Sequence, residues 1–507
     1  MTATAESPAS EGVRLSSPAG RWVLACSVLG SGMALLDGTI VNIALPRLGE
    51  DLGASLATLQ WTVNGYLLTL AGLILLGGGL GDRYGRRRVF VIGVVWFAVA
   101  SALCGLAQDS AMLIAARALQ GVGGALLTPG SLALVQSSYR PEDRAKAVGA
   151  WSGLGGVAAA VGPFLGGYLV DGPGWRWIFL VNLPIAAIVV AIALRHVPES
   201  RDRNASGSFD VRGAALAALC LAGITYALIA ASGNPSPATV AVPALAGVAC
   251  GVAFLVTERN QPHPMLPLSV FSSRLFTSMN VVTLCLYAAI GGVFFILPVQ
   301  LQVAAGYSAL QAGLATLPVT VLMLLLSAPA GAMAQRIGPR LPLTVGPLVT
   351  AAGLLLLIRV SPDSSSYVPD VLPAVVVMGL GMSLFVAPLT ATVLASVEVD
   401  HAGVASGVNN AAARVAQLLV VAALPLAIGL SDQAYRSPYR VDAAFGSAML
   451  ICAGLCALAG LLAFLLVPAQ ALREELDKPP CAQPECVAHC GVSAPPLEPG
   501  PAEVRQR

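Results

Sequence analysis

The sequence predicts an all-α integral membrane protein with fourteen transmembrane helices. Hydrophobic residues make up 56% of the 507 positions, charged residues make up 11%, and the mean hydropathy is +0.78. Because about a quarter of the residues in a typical soluble domain are charged, this composition excludes an ordinary soluble globule. Apolar segments of about 20 residues, the length that crosses a hydrocarbon layer of roughly 30 Å as a helix, recur along the whole chain.

The fourteen apolar segments are separated by short polar loops. They cover residues 22–46, 58–80, 89–107, 111–136, 146–170, 177–194, 213–232, 238–257, 276–302, 309–333, 341–360, 370–396, 403–429 and 443–467. The first segment follows a polar stretch, is longer than a signal-peptide core and lacks a clear cleavage site of small residues. We therefore expect it to stay in the protein as a membrane anchor.

The distribution of basic residues predicts the orientation of the chain. With the N-terminus in the cytoplasm, the tails and inner loops hold 21 of the 28 lysines and arginines, and two lie inside spans. The five in outer loops are Arg47, Arg176, Arg359, Arg436 and Arg440. Since cytoplasmic loops are enriched in Lys and Arg, we expect both termini in the cytoplasm. The basic residues form no single patch, which argues against a nucleic-acid partner.

Two arginine-rich turns indicate an internal repeat. LGDRYGRRRVFVIG (80–93) follows the second span, and MAQRIGPRLPLTVG (333–346) follows the tenth. Arg83, Gly85, Arg87 and Gly93 of the first turn match Arg336, Gly338, Arg340 and Gly346 of the second. Repeated halves are a device of transporters, so we expect two related six-helix bundles with two helices inserted between them. The predicted divisions are a cytoplasmic tail (1–21), a first bundle (22–196), a linker with the inserted helices (197–275), a second bundle (276–467) and a disordered cytoplasmic tail (468–507).

Four motifs resemble those of the major facilitator superfamily, and in particular of its fourteen-span drug:proton antiporters. The loop motif is carried by Gly78, Leu80, Asp82, Arg83, Gly85, Arg86 and Arg87. LDGTIVNIALP (36–46) resembles the first-helix signature, and RALQGVGGA (117–125) resembles the Arg-x-x-Gln-Gly-x-Gly element. GVAAAVGPFLGGYL (156–169) resembles the antiporter motif of span five, although Ala158 stands where a glycine is usual. The resemblance implies the major facilitator fold and a gate at the fifth span.

Residues of these motifs are candidates for gating. They are Gly78, Asp82, Arg83, Gly85, Arg86, Arg87, Gly162 and Pro163. The glycines alone need mean no more than close helix packing, because small residues let helices approach in a bilayer. The proline at 163 removes a backbone hydrogen bond and marks a bend at a moving interface. Asp82 is expected to sit at the positive N-terminal end of span thirteen near Gly403, while the arginines pair with loop acids or lipid phosphates.

Charges inside spans are costly and mark candidate functional residues. Asp37 lies about 24 Å above the inner face of span one, and Arg117 lies about 9 Å below the outer face of span four, at 1.5 Å per residue. Their similar depth predicts a direct or water-bridged pair, either a static structural contact or a proton-coupling site. A carboxylate whose proton affinity depends on burial and on a nearby arginine can carry one proton per transport cycle.

Five polar or basic residues are predicted to line a substrate cavity. They are Asn42, Asn64, Tyr66, Gln120 and Arg414, and a hydrogen bond between helices is the alternative role for each of the polar ones. For Arg414 the alternative is packing against backbone carbonyls near the cytoplasmic side. Recognition of a dication would require further carboxylates in the spans, so the expected cargo is a neutral or anionic amphipathic compound.

These features together predict a proton-coupled antiporter that exports a small amphipathic drug or antibiotic through the cytoplasmic (inner) membrane as a monomer. The proton gradient supplies the energy and no cofactor is expected, because the chain has no Walker-type GxxxxGK[ST] motif. The tail residues Cys481, Cys486, His489 and Cys490 lack the spacing of a zinc site. The alternatives are an exporter of an endogenous metabolite or lipid, a sensor that does not transport, and a membrane-embedded enzyme. The enzyme is disfavoured because the four histidines lie near no other titratable cluster.

Overall fold

The computed structural model describes residues 12–201, 210–233, 235–261, 264–363, 366–397 and 402–469. Within these residues fourteen helices are long and apolar enough to cross a membrane, which confirms the predicted number. They are α1 (Pro18–Asp51), α2 (Leu56–Tyr84), α3 (Arg86–Gly105), α4 (Ser110–Ser138), α5 (Pro141–Asp171), α6 (Trp177–His196), α7 (Val211–Ala231), α8 (Pro237–Asn260), α9 (Arg274–Ala304), α10 (Ala309–Ile337), α11 (Arg340–Leu357), α12 (Tyr367–Ala395), α13 (Gly403–Ala427) and α14 (Pro438–Leu466). The predicted disordered tail and its cysteines lie almost entirely outside the described residues, as do residues 1–11.

The helices begin and end at residues that satisfy their free backbone groups. Ser17, Ser55, Asp109 and Ser308 each accept a hydrogen bond from the backbone of the first helical turn that follows. Such caps pair N–H groups that have no partner inside the helix. Most helices extend beyond the apolar segments seen in the sequence, because capped polar ends continue past the hydrocarbon layer.

The internal repeat is visible in the backbone. Gly85 separates α2 from α3 at a φ of 109°, and Gly338 separates α10 from α11 at a φ of 92°. Residues with a side chain rarely adopt this region, so both turns depend on glycine. The chain that follows the sixth helix of each half packs on the turn: a Cβ on Gly85 would meet Glu199, and one on Gly338 would meet Ala469.

The fourteen helices form two six-helix halves and an inserted pair. Helices α1–α6 pack mainly on one another, and α9–α14 do the same. The inserted helices α7 and α8 pack together, and α7 also contacts α2 and α13 at the boundary between the halves. Only 6% of the most apolar stretch of α8 is buried within the protein, so this helix lies at the periphery.

Two carboxyl groups lie close together at one end of the inserted pair. Asp210 caps the start of α7, where its Oδ1 accepts from the N–H of Gly213 at 2.7 Å and from Nε2 of Gln261, just after α8, at 3.0 Å. A Cβ on Gly213 would meet both Asp210 Oδ2 and Oε1 of Glu258, near the end of α8. Neither of these two oxygens has a hydrogen-bond partner among the described residues. This carboxyl pair lies apart from the boundary between α5 and α10.

The two halves meet tightly at one face of the protein. Because the number of spans is even, α1 begins and α14 ends at the same face, here called the terminal face, and the other is called the opposite face. Near the opposite face, a Cβ on Gly167 of α5 would lie 2.5 Å from backbone atoms of Ala309 and Leu310 in α10. Toward the terminal face, a Cβ on Gly149 or Gly153 of α5 would meet no described atom of another helix within 4 Å. The conformation is therefore closed between α5 and α10 at the opposite face.

Candidate functional site

Asp37 of α1 and Arg117 of α4 form a direct ion pair in the interior of the first half. Arg117 Nη1 lies 2.6 Å from Asp37 Oδ2, and both side chains are buried. The structure thus forms the direct contact that the similar depths of the two residues predicted. An ion pair removed from water is stable only when hydrogen bonds satisfy its remaining groups.

Gln120 supplies most of those hydrogen bonds. Its Nε2 donates to Asp37 Oδ1 at 2.8 Å and to Ser101 Oγ at 2.7 Å, while its Oε1 accepts from Arg117 Nη1 at 2.5 Å. Arg117 Nε also donates to the carbonyl oxygen of Thr62 at 3.1 Å. The network joins α1, α2, α3 and α4. Removing one charge of such a buried pair costs about 3–5 kcal/mol, because the other charge is left without its partner.

The glycines of RALQGVGGA bring α4 close enough to α2 and α3 to form this network. A Cβ on Gly121 would overlap the carbonyl oxygen of Tyr66, and one on Gly123 would lie 2.7 Å from the backbone nitrogen of Phe97. With α4 this close, the ring of Tyr66 stacks 4.5 Å from the guanidinium carbon of Arg117. A ring face attracts a cation, so Tyr66 stabilises the charge of Arg117.

Three of the five predicted cavity residues are buried, and two are half-buried. Tyr66 and Gln120 belong to the buried ion-pair network, so the structure places them behind the cavity surface and not on it. Asn64 is also fully buried, and both of its amide atoms lack a hydrogen-bond partner among the described residues. Asn42 is half-buried with an unpaired Oδ1, and Arg414 is half-buried. The packing of side chains decides which face of each helix is enclosed, and this packing cannot be read from the sequence.

Arg414 carries a positive charge that no acidic group of the described chain neutralises. Its Nη1 donates to Gln417 Oε1 at 3.1 Å, and it forms no ion pair within the described residues. It lies close enough to Tyr66 of α2 and Tyr287 of α9 to interact with both electrostatically. Because Asp37 and Arg117 neutralise each other, Arg414 gives the region between the halves a net positive charge.

Gln60 of α2 makes a contact between the halves that no sequence pattern predicts. Its Nε2 donates to the carbonyl oxygens of Val421 at 2.8 Å and Ala422 at 3.1 Å in α13. Pro425 lacks the N–H that would otherwise bond to the Val421 carbonyl, so the proline leaves an acceptor for Gln60. Asn64 lies one turn further along α2 and therefore faces the same helix.

The contacts that close the opposite face are collectively called the opposite-face gate. They comprise Gln60 on α13, Gly167 and Pro163 of α5 on α10, and the carboxylates of Asp171 and Asp432, each bonded to the other half. A Cβ on Gly313 of α10 would overlap the carbonyl of Pro163, whereas Gly162 packs on Thr39 of α1 within its own half. Of the two motif residues at 162–163, only the proline thus contacts the other half directly.

The predicted contact between Asp82 and the start of α13 is not formed in this conformation. Asp82 Oδ1 instead accepts from Arg86 Nε and pairs with Arg86 Nη2, both at 2.8 Å. Among the described residues, no atom of another helix lies within 4 Å of a Cβ built on Gly403. Arg86 lies four residues from Asp82 and reaches it without any approach of the two halves.

Arg87 of the same motif pairs with a loop acid, one of the two kinds of partner that the sequence predicted. Arg87 Nε lies 3.7 Å from Glu199 Oε2, and the N–H groups of Arg87 and Arg88 donate to the Glu199 carboxylate at 3.0 and 3.1 Å. Glu199 therefore caps the start of α3. Arg83 lies over the ring of Tyr84, and Gly78 approaches Pro129 of α4. Within the described ranges, no group of three or more His, Cys, Asp or Glu side chains is arranged to hold a metal ion.

Comparison with known proteins relates this architecture to one family. The family described as Major Facilitator Superfamily matches residues 27–421 and 279–485. A probable actinorhodin transporter of Streptomyces coelicolor is 35% identical over 432 residues, which span 83% of this chain and 75% of that protein. The puromycin resistance protein pur8 of Streptomyces alboniger is 36% identical over 462 residues, or 88% of this chain and 91% of that protein.

The fold itself is found among solved transporters. A bacterial homologue of the human lysosomal transporter Spinster, in an inward-facing and unoccupied conformation, aligns with a TM-score of 0.62 at 16% identity. The alignment covers 91% of this chain and 99% of that one. The matched proteins are transporters and not enzymes.

Proposed function

Because this chain belongs to the major facilitator superfamily, we propose that it is a proton-coupled antiporter that exports a small amphipathic compound by alternating access. The observation that carries the proposal is the buried pair of Asp37 and Arg117, held by Gln120 and covered by Tyr66. The relatives named for antibiotic transport or resistance support a drug or antibiotic as the cargo. An endogenous metabolite or lipid is the alternative cargo for the same mechanism.

The proposed orientation follows from charge. Most basic residues lie on the terminal face, so this face is cytoplasmic and the opposite face is outside. The protein then works in the cytoplasmic membrane as a monomer with both termini inside. In this orientation the described conformation is closed to the outside, which is the state in which cargo would bind from the cytoplasm.

Asp37 is the proposed proton carrier. When the opposite-face gate opens, Asp37 takes up a proton from outside, and the contact with Arg117 weakens because the carboxyl is neutral. When the terminal face opens, Arg117 returns to the carboxylate and the proton is released to the cytoplasm. Because Arg117 binds the charged carboxylate directly, movement of Arg117 away from Asp37 is proposed to accompany proton uptake.

The proposed cargo site is centred on Arg414 of the second half, and the buried ring of Tyr66 lies behind this site in the first half. An uncompensated cation at a boundary of low dielectric favours a neutral hydrogen-bond acceptor or an anion over a dication. Asn64 offers a further donor and acceptor, because its amide is unpaired. Tyr66 also contacts Arg117, so cargo that displaces Tyr66 alters the proton site directly.

The terminal-face motif is the proposed second gate. In the conformation closed at that face, Asp82 leaves Arg86 and accepts from the N–H groups at the start of α13, where a carboxylate is stabilised by the helix dipole. This exchange of partners lets one carboxylate stabilise two states.

The central test replaces Asp37 by Asn in proteoliposomes. An amide cannot bind and release a proton, so export driven by a pH gradient should be lost, while exchange of cargo without a gradient should remain. The double variant Asp37→Asn/Arg117→Gln should show the same loss of gradient-driven export. Its fold should be more stable than that of Asp37→Asn alone, because it leaves no unpaired buried charge. Glu258→Gln also removes a carboxyl from a span and should retain gradient-driven export. Normal gradient-driven export by both Asp37 variants would refute proton coupling at this residue.

The cargo proposal is tested with compounds that share a scaffold and differ in charge. Acidic and neutral members should be exported in preference to dicationic ones. Arg414→Ala should reduce export of the acidic members by roughly tenfold, the value of one charge-assisted hydrogen bond, and Arg414→Lys should reduce it less. Preferential export of dications that is unchanged by Arg414→Ala would contradict this assignment.

A further inference from the structure

The N-terminus of α10 is capped by a residue of the other half. Asp171, at the end of α5, accepts from the N–H of Ala309 at 3.2 Å and from the N–H of Leu310 at 2.8 Å, using both carboxylate oxygens. The side chain of Ser308 accepts from the third N–H, that of Gln311, at 3.2 Å. The first N–H groups of a helix have no partner within it, and here two of them depend on the opposite half.

The N-terminus of α2 is capped in the reciprocal direction. The N–H of Leu56 donates to Asp432, which belongs to the second half and follows α13. The side chain of Ser55 accepts from the N–H of Thr58 at 3.2 Å. Each half thus supplies a serine cap to its own second helix and an aspartate cap to the second helix of its partner.

The two caps are related by the internal repeat. Helices α2 and α10 both precede the matched arginine turns. Each helix directly follows a Gly-x-Ser sequence, which starts at Gly53 and at Gly306. Both glycines have a positive φ, of 56° and 71°, so the chain enters the two helices by the same turn. Shared turns and shared serine caps place the free N–H groups of α2 and α10 in equivalent positions at the boundary.

We propose that Asp171 and Asp432 are positioning residues of the opposite-face gate, which act together as reciprocal caps that favour the closed state. Each carboxylate interacts with a positive helix end only while the halves are in contact. Separation of the halves at this face breaks both caps, so removal of one cap should cause the other cap to open more often. The role of the two caps in transport rests on the proposed alternating access, whereas the reciprocal contacts themselves are observed independently of that proposal.

Water reaches the gate from the opposite face. A cavity of about 650 Å³ opens there, and its lining includes Asp171, Ala309, Arg47, Glu50 and Arg436. Both capping carboxylates are exposed, so each remains hydrated when its cap breaks. The caps therefore favour the closed state without preventing the gate from opening. A transporter requires this of a contact that is broken in every cycle.

The test uses hydrogen–deuterium exchange of the full chain in lipid nanodiscs, read at Leu56 and at Ala309 and Leu310. Asp171→Ala should increase exchange about fivefold at α10, the effect of losing one helix cap, and should also increase it at Leu56, which Asp171 does not touch. Asp432→Ala should show the reverse pattern. The matched control is Asp109→Ala, because Asp109 caps α4 on the same face within one half, where its Oδ1 accepts from Met112 N–H at 2.8 Å.

The remote effect distinguishes a gate from a local cap. Increased exchange at both helix starts in each variant, with Asp109→Ala affecting only α4, is the expected result. Increases confined to the helix that lost its own cap would overturn the proposal. Asp171→Asn, which keeps one acceptor oxygen, should give a smaller remote increase than Asp171→Ala, and an equal or larger one would also count against it. No cargo is needed, so a failure of the proposed drug export leaves this outcome unaffected.

Discussion

At the scale of single residues, two buried amides have opposite roles. Gln120 bonds to Asp37, Arg117 and Ser101, so its burial is compensated. Asn64 is equally buried and has no partner among the described residues. A buried polar group without a hydrogen bond destabilises the fold, and such groups concentrate where function requires them. In the proposed mechanism, Gln120 maintains the proton site and Asn64 awaits cargo.

Replacing each amide by leucine should therefore give opposite changes in stability. Asn64→Leu should raise the free energy of unfolding by about 1–3 kcal/mol, because it removes an unpaired amide, and should reduce export roughly tenfold. Gln120→Leu should lower it by a similar amount, because it leaves the ion pair incompletely bonded. Thermal unfolding in detergent, together with a transport assay, measures both effects. A less stable Asn64→Leu with full export would contradict the assigned role.

At the scale of elements, α5 changes character along its length. Its glycines near the opposite face are in contact with α1 and α10, whereas Gly149, Gly153 and Gly156 face open space. Near the opposite face α5 thus contacts α10, whereas these three glycines meet no described atom of another helix. This asymmetry is what a helix needs if it pivots about its closed end while the halves separate at the terminal face.

Alanine substitution on α5 should depend on position. Gly167→Ala places a Cβ 2.5 Å from the backbone of α10, which should cost about 1–3 kcal/mol through overpacking and shift the protein toward the state open at the opposite face. Gly153→Ala meets no atom within 4 Å and should stabilise the helix by about 0.5–1 kcal/mol. Thermal unfolding and labelling of an introduced outer cysteine provide the measurements. Equal effects of the two changes would show that α5 does not close the gate.

At the scale of the whole molecule, the two faces carry different kinds of contact. The terminal face carries the arginine turns, whose motif residue Asp82 now pairs with Arg86 within its own half. The opposite face carries reciprocal contacts between halves through Asp171 and Asp432. Closure of the halves at the opposite face is what the proposed alternating access requires of one of its two states.

The orientation of the inserted helices is testable with reporter fusions. Reporters placed in residues 233–237 should be active outside the cell, and reporters in residues 197–211 should be active inside, because the basic residues of the second loop keep it in the cytoplasm. An alkaline phosphatase and a fluorescent protein at each position report the two sides independently. Activity of both loops on the same side would mean that α7 and α8 do not each cross the membrane.

The sequence by itself determined the number of spans, the internal repeat, the family and the pairing of Asp37 with Arg117. These follow from hydrocarbon thickness, from local motifs and from the cost of a lone charge in a bilayer, none of which requires knowledge of side-chain packing. The tertiary structure decided that Tyr66 and Gln120 lie within the ion-pair network, that Asp82 pairs with Arg86, and that Gln60 spans the halves. It also revealed the caps of Asp171 and Asp432, which join residues 138 and 376 positions apart in the chain. Such contacts depend on how helices distant in sequence are rotated and brought together, and that arrangement leaves no periodic or compositional signal in either segment.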